Sequence, residues 1–218
     1  MTMTELWPLL AKAVGETLQM VLATLGIGGV LGLVLGALLY ATRPGNLLAN
    51  KVAYTVLNLL VNIVRPIPFI IFITAVLPLT VQVTGTSYGT RAVIFPMAIM
   101  ATFATSRIVE QNLVALDPGL IEAARAMGAG PLRIIWTVVV REALGPLILG
   151  FTFLFVAITD MSAMAGAVAG GGLGDLAIQY GYQRYDYRLI GIVVAVIVVI
   201  VQLAQVLGNK LAARVLHH

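Results

Sequence analysis

The stretch Leu120–Ile135, LIEAARAMGAGPLRII, decides the fold: it has the pattern of a soluble amphipathic helix inside a chain too apolar to be soluble. The 218 residues are 60% hydrophobic and 10% charged, with a mean hydropathy of +1.02. A globular surface draws on roughly a quarter charged residues, so this composition excludes a soluble domain and implies an integral membrane protein. The stretch then belongs between membrane spans.

Its residues predict its local structure. Asp117 followed by Pro118 has the form of an N-cap with proline at the first helical position, so a helix is expected from there. Ile121, Ala124, Gly128 and Leu132 approximate one face, with Glu122 and Arg125 off it. Gly128, Gly130 and Pro131 end the helix after about three turns, and Pro131 opens the next. The exposed face reads as mostly alanine and glycine, side chains that bury little area but let a second surface come close. A helix lying on lipid would carry bulky apolar residues and lysines, so a helix seated in another protein's groove is the better reading.

Working outward, a spanning helix needs about 20 mostly apolar residues. Residues 17–42 carry no charge and give a first span, in which Gly28, Gly32 and Gly36 recur every four residues as a close-packing stripe. A second span over 52–79 contains RPIPF, where Pro66 and Pro68 remove helix donors and Arg65 must face protein or water, or snorkel from a helix end. Residues 92–106 form a short third span with Pro96 inside, and Arg91 and Arg107 snorkel from its ends. The polar segment 107–144 follows, then a fourth span over 145–168 interrupted by Asp160. After the glycine-rich GAVAGGGLGD and the tyrosine-rich YGYQRYDY comes a fifth span, 189–207. Glycines 170–172 read as a plain loop or as a flexing point at the end of the fourth helix. Met161 and Met164 read as core packing or as lining of a passage.

Five spans put the termini on opposite sides. With segment 107–144 in the cytosol, that side holds Arg43, Lys51, Arg107, Arg125, Arg133, Arg141, Lys210 and Arg214, against Lys12, Arg91, Arg184 and Arg188 outside. The positive-inside rule therefore places residues 1–16 outside and the tail, 209–218, in the cytosol. Tyr180, Tyr182, Tyr185 and Tyr187 then form an outer interfacial belt. The net charge of +4 is spread over loops, which suits anionic lipid and gives no nucleic-acid patch. The first sixteen residues lack a basic n-region, so the run after them is an anchor rather than a signal peptide.

Little catalytic chemistry is offered. There are no cysteines, and the two histidines, His217 and His218, end the chain like a terminal remnant, so neither a metal site nor a catalytic residue is expected. A P-loop needs glycine before lysine, and Lys12, Lys51 and Lys210 follow Ala, Asn and Asn. If ATP is used, a partner brings it. The GLGD at Gly172–Asp175 matches the pattern of intramembrane aspartyl proteases, with Asp160 as the second carboxylate. The two are 15 residues apart, about 22 Å along a continuous helix, whereas a shared proton needs facing carboxylates. A gradient-driven secondary transporter would account for intramembrane charge and broken helices, but no internal repeat is evident.

EAARAMGA, Glu122–Ala129, resembles the EAA loop of permease subunits of bacterial ABC importers, and LLYATRPG (38–45), VRPIPFII (64–71) and SAMAGAVAGGGLGDLAIQYGYQRY (162–185) are similar to the methionine-type group. The resemblance covers nearly the whole chain. It implies an all-α membrane protein of the type I ABC importer permease fold, with five transmembrane helices over about 17–208. The chain would work as a homodimer in the bacterial inner membrane, with two ATPase subunits that carry ATP and magnesium and an extracytoplasmic substrate-binding lipoprotein. The cargo would be methionine, in either enantiomer, or a related amino acid. On this reading Leu120, Ile121, Glu122, Ala123, Ala124, Arg125, Met127, Gly128 and Ala129 form the coupling helix that docks on the ATPase. Arg65, Asp160, Met161 and Met164 are candidates for the pathway or its gate.

Two residue patterns depart from the family. Val140 and Arg141 stand where the EAA pattern ends in leucine and proline, so the loop exit is expected to differ in shape. Asp160 stands where a small or neutral residue is expected. A carboxylate at the bilayer centre costs roughly 2.5–3.5 kcal/mol, so Asp160 is expected to pair with Arg65 or to meet the substrate's ammonium group.

Overall fold

Three small apolar cores, stacked along the helix axes, hold the chain together. The computed structural model describes residues 3–46 and 48–216, so His217 and His218 lie outside the described residues. The helices are α1 (Met3–Thr42), α2 (Lys51–Val64), α3 (Phe69–Ala75), α4 (Leu77–Thr84), α5 (Thr90–Val114), α6 (Pro118–Ala126), α7 (Pro131–Ile134), α8 (Val140–Ala167), α9 (Gly172–Leu176) and α10 (Tyr187–Leu216). Wider π-helical turns at Ile135–Val139 and Ala177–Tyr182 lead into α8 and out of α9. Four helical stretches are long and apolar enough to cross a membrane, and α2 with α3 makes a fifth if that bent pair is one span.

The helices extend beyond the apolar runs. α1 is continuous through residues read as an outer segment, and α5 continues eight residues past the expected end of the third span. In both places polar side chains find partners on the protein, so the helix need not stop where hydropathy falls. The second span is not one helix. Arg65 closes α2 by donating its backbone N–H to Val61, Pro66 and Pro68 withhold theirs, and α3 leaves at 104°. Pro68 then stands at the start of α3, where no intrahelical donor is needed.

That bend aims α3 into the middle core. Phe69 and Ile73 pack there with Met20 and Val21 of α1, Val93, Met97 and Ala101 of α5, and Leu154, Ile158 and Ala165 of α8. At the α6 end, Tyr40, Val109, Leu113, Ala124, Ile134 and Ala143 make a second core. At the opposite end, Leu6, Leu10 and Ala13 meet Leu173 of α9 and Leu189 and Val193 of α10. α10 buries little else than Leu189, Val193, Gly208 and Ala212, which fits a lipid-facing helix.

The α1 glycine stripe is the seam with α5. A Cβ on Gly28 would lie 2.6 Å from Ala101 Cβ, and one on Gly36 2.6 Å from the Ser106 carbonyl; at Gly32 it would overlap Thr105. Gly32→Ala is therefore expected to lower stability by about 1–3 kcal/mol, because neither backbone can retreat without opening the seam. Gly26, with nothing within 4 Å, is the control. Gly26→Ala is expected to be stabilising by about 0.5–1 kcal/mol, since only the glycine's helix penalty is removed. Thermal unfolding of the two variants in one detergent compares them; equal melting points would remove the seam's stated role.

Candidate functional site

α6 is built to be rigid. The Asp117 carboxylate accepts from the Gly119 N–H at 2.8 Å, capping its start with Pro118 in the first turn. Its end is a Schellman turn: the Ala129 N–H reaches the Ala124 carbonyl and the Gly128 N–H the Arg125 carbonyl. That turn requires the left-handed backbone seen at Gly128, φ +80°.

Ala124 is buried and Ile121 and Ala129 are half-buried against the second core, so α6 rests on α5 and on the segment leading into α8. Leu120, Glu122, Ala123, Arg125, Met127 and Gly128 are exposed. This corrects the expected faces. Gly128 and Leu132 leave the packed side, because the Schellman turn reverses the chain and helical periodicity does not carry across it. The outward surface is also not mainly alanine and glycine: Met127 is 81%, Leu132 65% and Leu120 40% exposed. Large apolar residues are thus held in the open on a helix whose two ends are both capped. Beside them a cleft of about 260 Å³ lies between the α1–α2 turn, the end of α5 and α6, lined in part by Arg43, Glu122 and Arg125. Val140 and Arg141 open α8 directly after the π-helical turn Ile135–Val139, so the chain continues from Pro131 into α8 without a loop.

A second feature lies within the span region. Arg65 and Asp160 are both exposed, and among the described residues neither side chain has a hydrogen-bond or ion-pair partner, so the pairing expected between them is not made within the protomer. Met164 is 39% exposed on the same side of α8, while Met161 packs against the middle core. Asp175 accepts from Gln179 and is not Asp160's partner, which removes the carboxylate dyad.

The ion pair the sequence reading missed is Arg107 with Glu110, at 2.5 Å in α5, the two side chains 17% and 4% exposed. Arg107 also donates to the amide oxygens of Asn58 at 2.9 Å and Asn62 at 2.5 Å, and the Tyr54 hydroxyl lies 3.4 Å from Glu110. Arg107 is thus no snorkelling end residue; it is the centre of a clasp between α2 and α5. The signal was present: Tyr54, Asn58 and Asn62 recur every four residues on a mostly apolar helix, and Arg65 follows three later. The clasp matters because Val61 is the one buried residue of α2.

Glu16 was also unassigned. Its carboxylate accepts from the Gly172 N–H at 2.8 Å, the Thr17 hydroxyl accepts from Leu173 at 2.9 Å, and Lys12 lies 3.7 Å from Glu16. Gly172 and the start of α9 are thereby tied to α1. Beyond them Tyr182, Tyr185 and Tyr187 are exposed, and Arg184 lies over the Tyr180 ring at 4.6 Å.

The structure is an all-helical bundle of membrane-length helices with a short capped helix between two of them. The chain belongs to the family described as binding-protein-dependent transport system inner membrane component, whose model matches residues 17–215. Among curated relatives, it is 41% identical over 209 residues to a probable D-methionine transport system permease of Vibrio cholerae, covering 96% of this chain and 93% of that one. It is 38% identical to a protein of the same description from Haemophilus influenzae, with 97% and 100% covered. Among solved structures it matches a chain of the MetNI methionine ABC transporter in an inward-facing conformation, with a TM-score of 0.95, 40% identity and 99% of both chains covered. An amino acid ABC transporter solved with histidines, 20% identical with a TM-score of 0.80, shares the fold.

Proposed function

We propose that the chain is the membrane-spanning subunit of an ATP-driven importer that carries methionine or a related amino acid into the cytoplasm. The observation that carries the proposal is α6, a short helix capped at both ends, resting on the bundle with Leu120, Met127 and Leu132 exposed, in a chain 40% identical to a MetNI subunit over its whole length. Two copies would face each other across the passage, with two ATPase subunits on the α6 side and a substrate-binding lipoprotein on the other. The N-terminus is then extracytoplasmic and the C-terminus cytoplasmic.

In this mechanism ATP with magnesium, bound to the partner ATPases, supplies the energy, and α6 takes up their displacement. Both ends of α6 are fixed by hydrogen bonds and its inner side is packed, so it moves as a unit with the ends of α5 and α8. The clasp of Arg107, Glu110, Asn58 and Asn62 passes that movement to α2, and so to the helix break at Arg65–Pro68. Arg65, Asp160 and Met164 lie unpartnered in the span region, and intramembrane charges face protein or water. They are assigned to the passage between the two copies, where opposite charges suit the carboxylate and ammonium of an amino acid.

The test is uptake of labelled methionine by vesicles containing the chain and its ATPase, with the binding protein added outside. Uptake is expected to require ATP on the α6 side. Uptake driven by a proton or sodium gradient without the ATPase would overturn the reading. Asp160→Asn is expected to lower transport at least tenfold with no peptidase activity in the wild type; unchanged uptake removes Asp160 from the passage.

A further inference from the structure

A groove of about 550 Å³ runs along α8, where Val140, Leu144, Phe151 and Phe155 form one wall and Leu25 of α1 and Leu207 of α10 contribute to the others. Among the described residues that line it the only polar side chain is Thr152, whose hydroxyl is already given to the Ile148 carbonyl. Between Val140 and Phe155 the groove follows α8 for about 22 Å, longer than one leaflet's share, about 15 Å, of the bilayer hydrocarbon. Asp160 projects about 140–180° around α8 from Phe151 and Phe155. With the charged face of α8 toward the second copy, the groove opens to lipid; this point rests on the permease reading above.

The end of the groove nearest α6 is basic. Arg141 adjoins Val140, Lys210 adjoins the groove-lining Leu211, and Arg214 lies one turn beyond it. All three are exposed, and among the described residues none is in an ion pair. Glu142 is two residues from both Val140 and Leu144, so it leaves α8 on the other side. We propose that the groove holds an acyl chain of an anionic phospholipid, with the lipid phosphate bound by Arg141 and Arg214. An apolar slot at membrane depth excludes water and polar chain, and unpaired cations at its interfacial end select a negative headgroup. A two-fold contact with a second copy would instead bring another set of the same cations to that rim.

The assembled permease–ATPase complex, released from mild detergent, is titrated in native mass spectrometry with dioleoyl phosphatidylglycerol and with dioleoyl phosphatidylcholine. Wild type is expected to retain the anionic lipid at least roughly tenfold better, and Arg141→Ala with Arg214→Ala to bring it down to the level of the zwitterionic one. Ala204→Phe, which fills the groove, is expected to lower retention of both. Equal retention by wild type, or a preference that survives loss of both arginines, overturns the proposal. So does separation of the permease pair by Ala204→Phe with lipid retention intact, which would place a second copy in the groove. The intact mass reports copy number and bound ATPase separately, so failure of the lipid site and failure of the permease reading are told apart.

Discussion

Glu110→Ala is expected to lower stability by about 3–5 kcal/mol and to reduce uptake to background. The Glu110 side chain is 4% exposed, and Arg107 is held against it while donating to Asn58 and Asn62. Removing the carboxylate leaves a cation among apolar helices with only two amide oxygens, and the cost is that of an unpaired charge rather than of one contact. A fall in melting temperature of roughly 6–20 °C follows for a chain of this size. Arg107→Met with Glu110→Leu is expected to restore most of that stability, because no charge is then left buried. It is not expected to restore uptake, since α2 would lose the polar fixation that joins it to α5. Separate measurement of melting, ATP hydrolysis and uptake decides the matter. Full uptake in the double variant would make the clasp merely structural, and a melting point unchanged in Glu110→Ala would remove the buried pair altogether.

Gly128→Trp is expected to abolish uptake while leaving the permease inserted and folded. At φ +80° a side chain costs about 1–2 kcal/mol, too little to unfold the bundle, and no atom within 4 Å opposes a Cβ there. The indole therefore projects from the exposed side next to Met127, on the surface assigned to the ATPase. Copurification of the ATPase is expected to fall in parallel with uptake. Gly128→Asn, which tolerates the left-handed backbone and adds little bulk, is expected to keep both. Wild-type transport in Gly128→Trp would sink the coupling assignment.

The comparison of Gly128 with Gly32 shows how far one sequence signal carries. Both are glycines in small-residue patterns, and both read from sequence as sites of close approach. Within the protomer Gly32 is one, pressed against Thr105, whereas Gly128 meets no neighbour and, as its place before Gly130 and Pro131 foretells, ends the helix by its backbone conformation. Composition and spacing report that a side chain is missing, but the contact that requires its absence depends on which helix arrives there. Asp160 and Arg65 differ in the same way. Their rarity in apolar spans was plain, but whether they meet depends on how α2 and α8 are placed, and within the protomer their side chains form no ion pair.

By itself the sequence determined that the chain is a helical membrane protein, that a capped amphipathic helix interrupts its spans, that α2 breaks at Pro66–Pro68 and that α1 carries a packing seam. These follow from local chemistry: hydropathy, a missing N–H, a capping carboxylate, a repeat of four. Only the tertiary structure decided that Arg107 pairs with Glu110 and clasps α2, that Glu16 and Thr17 hold the start of α9, and that Leu120, Met127 and Leu132 remain in the open. Those depend on which helices meet and at what depth, and side chains up to 156 residues apart are joined by packing that no local pattern encodes.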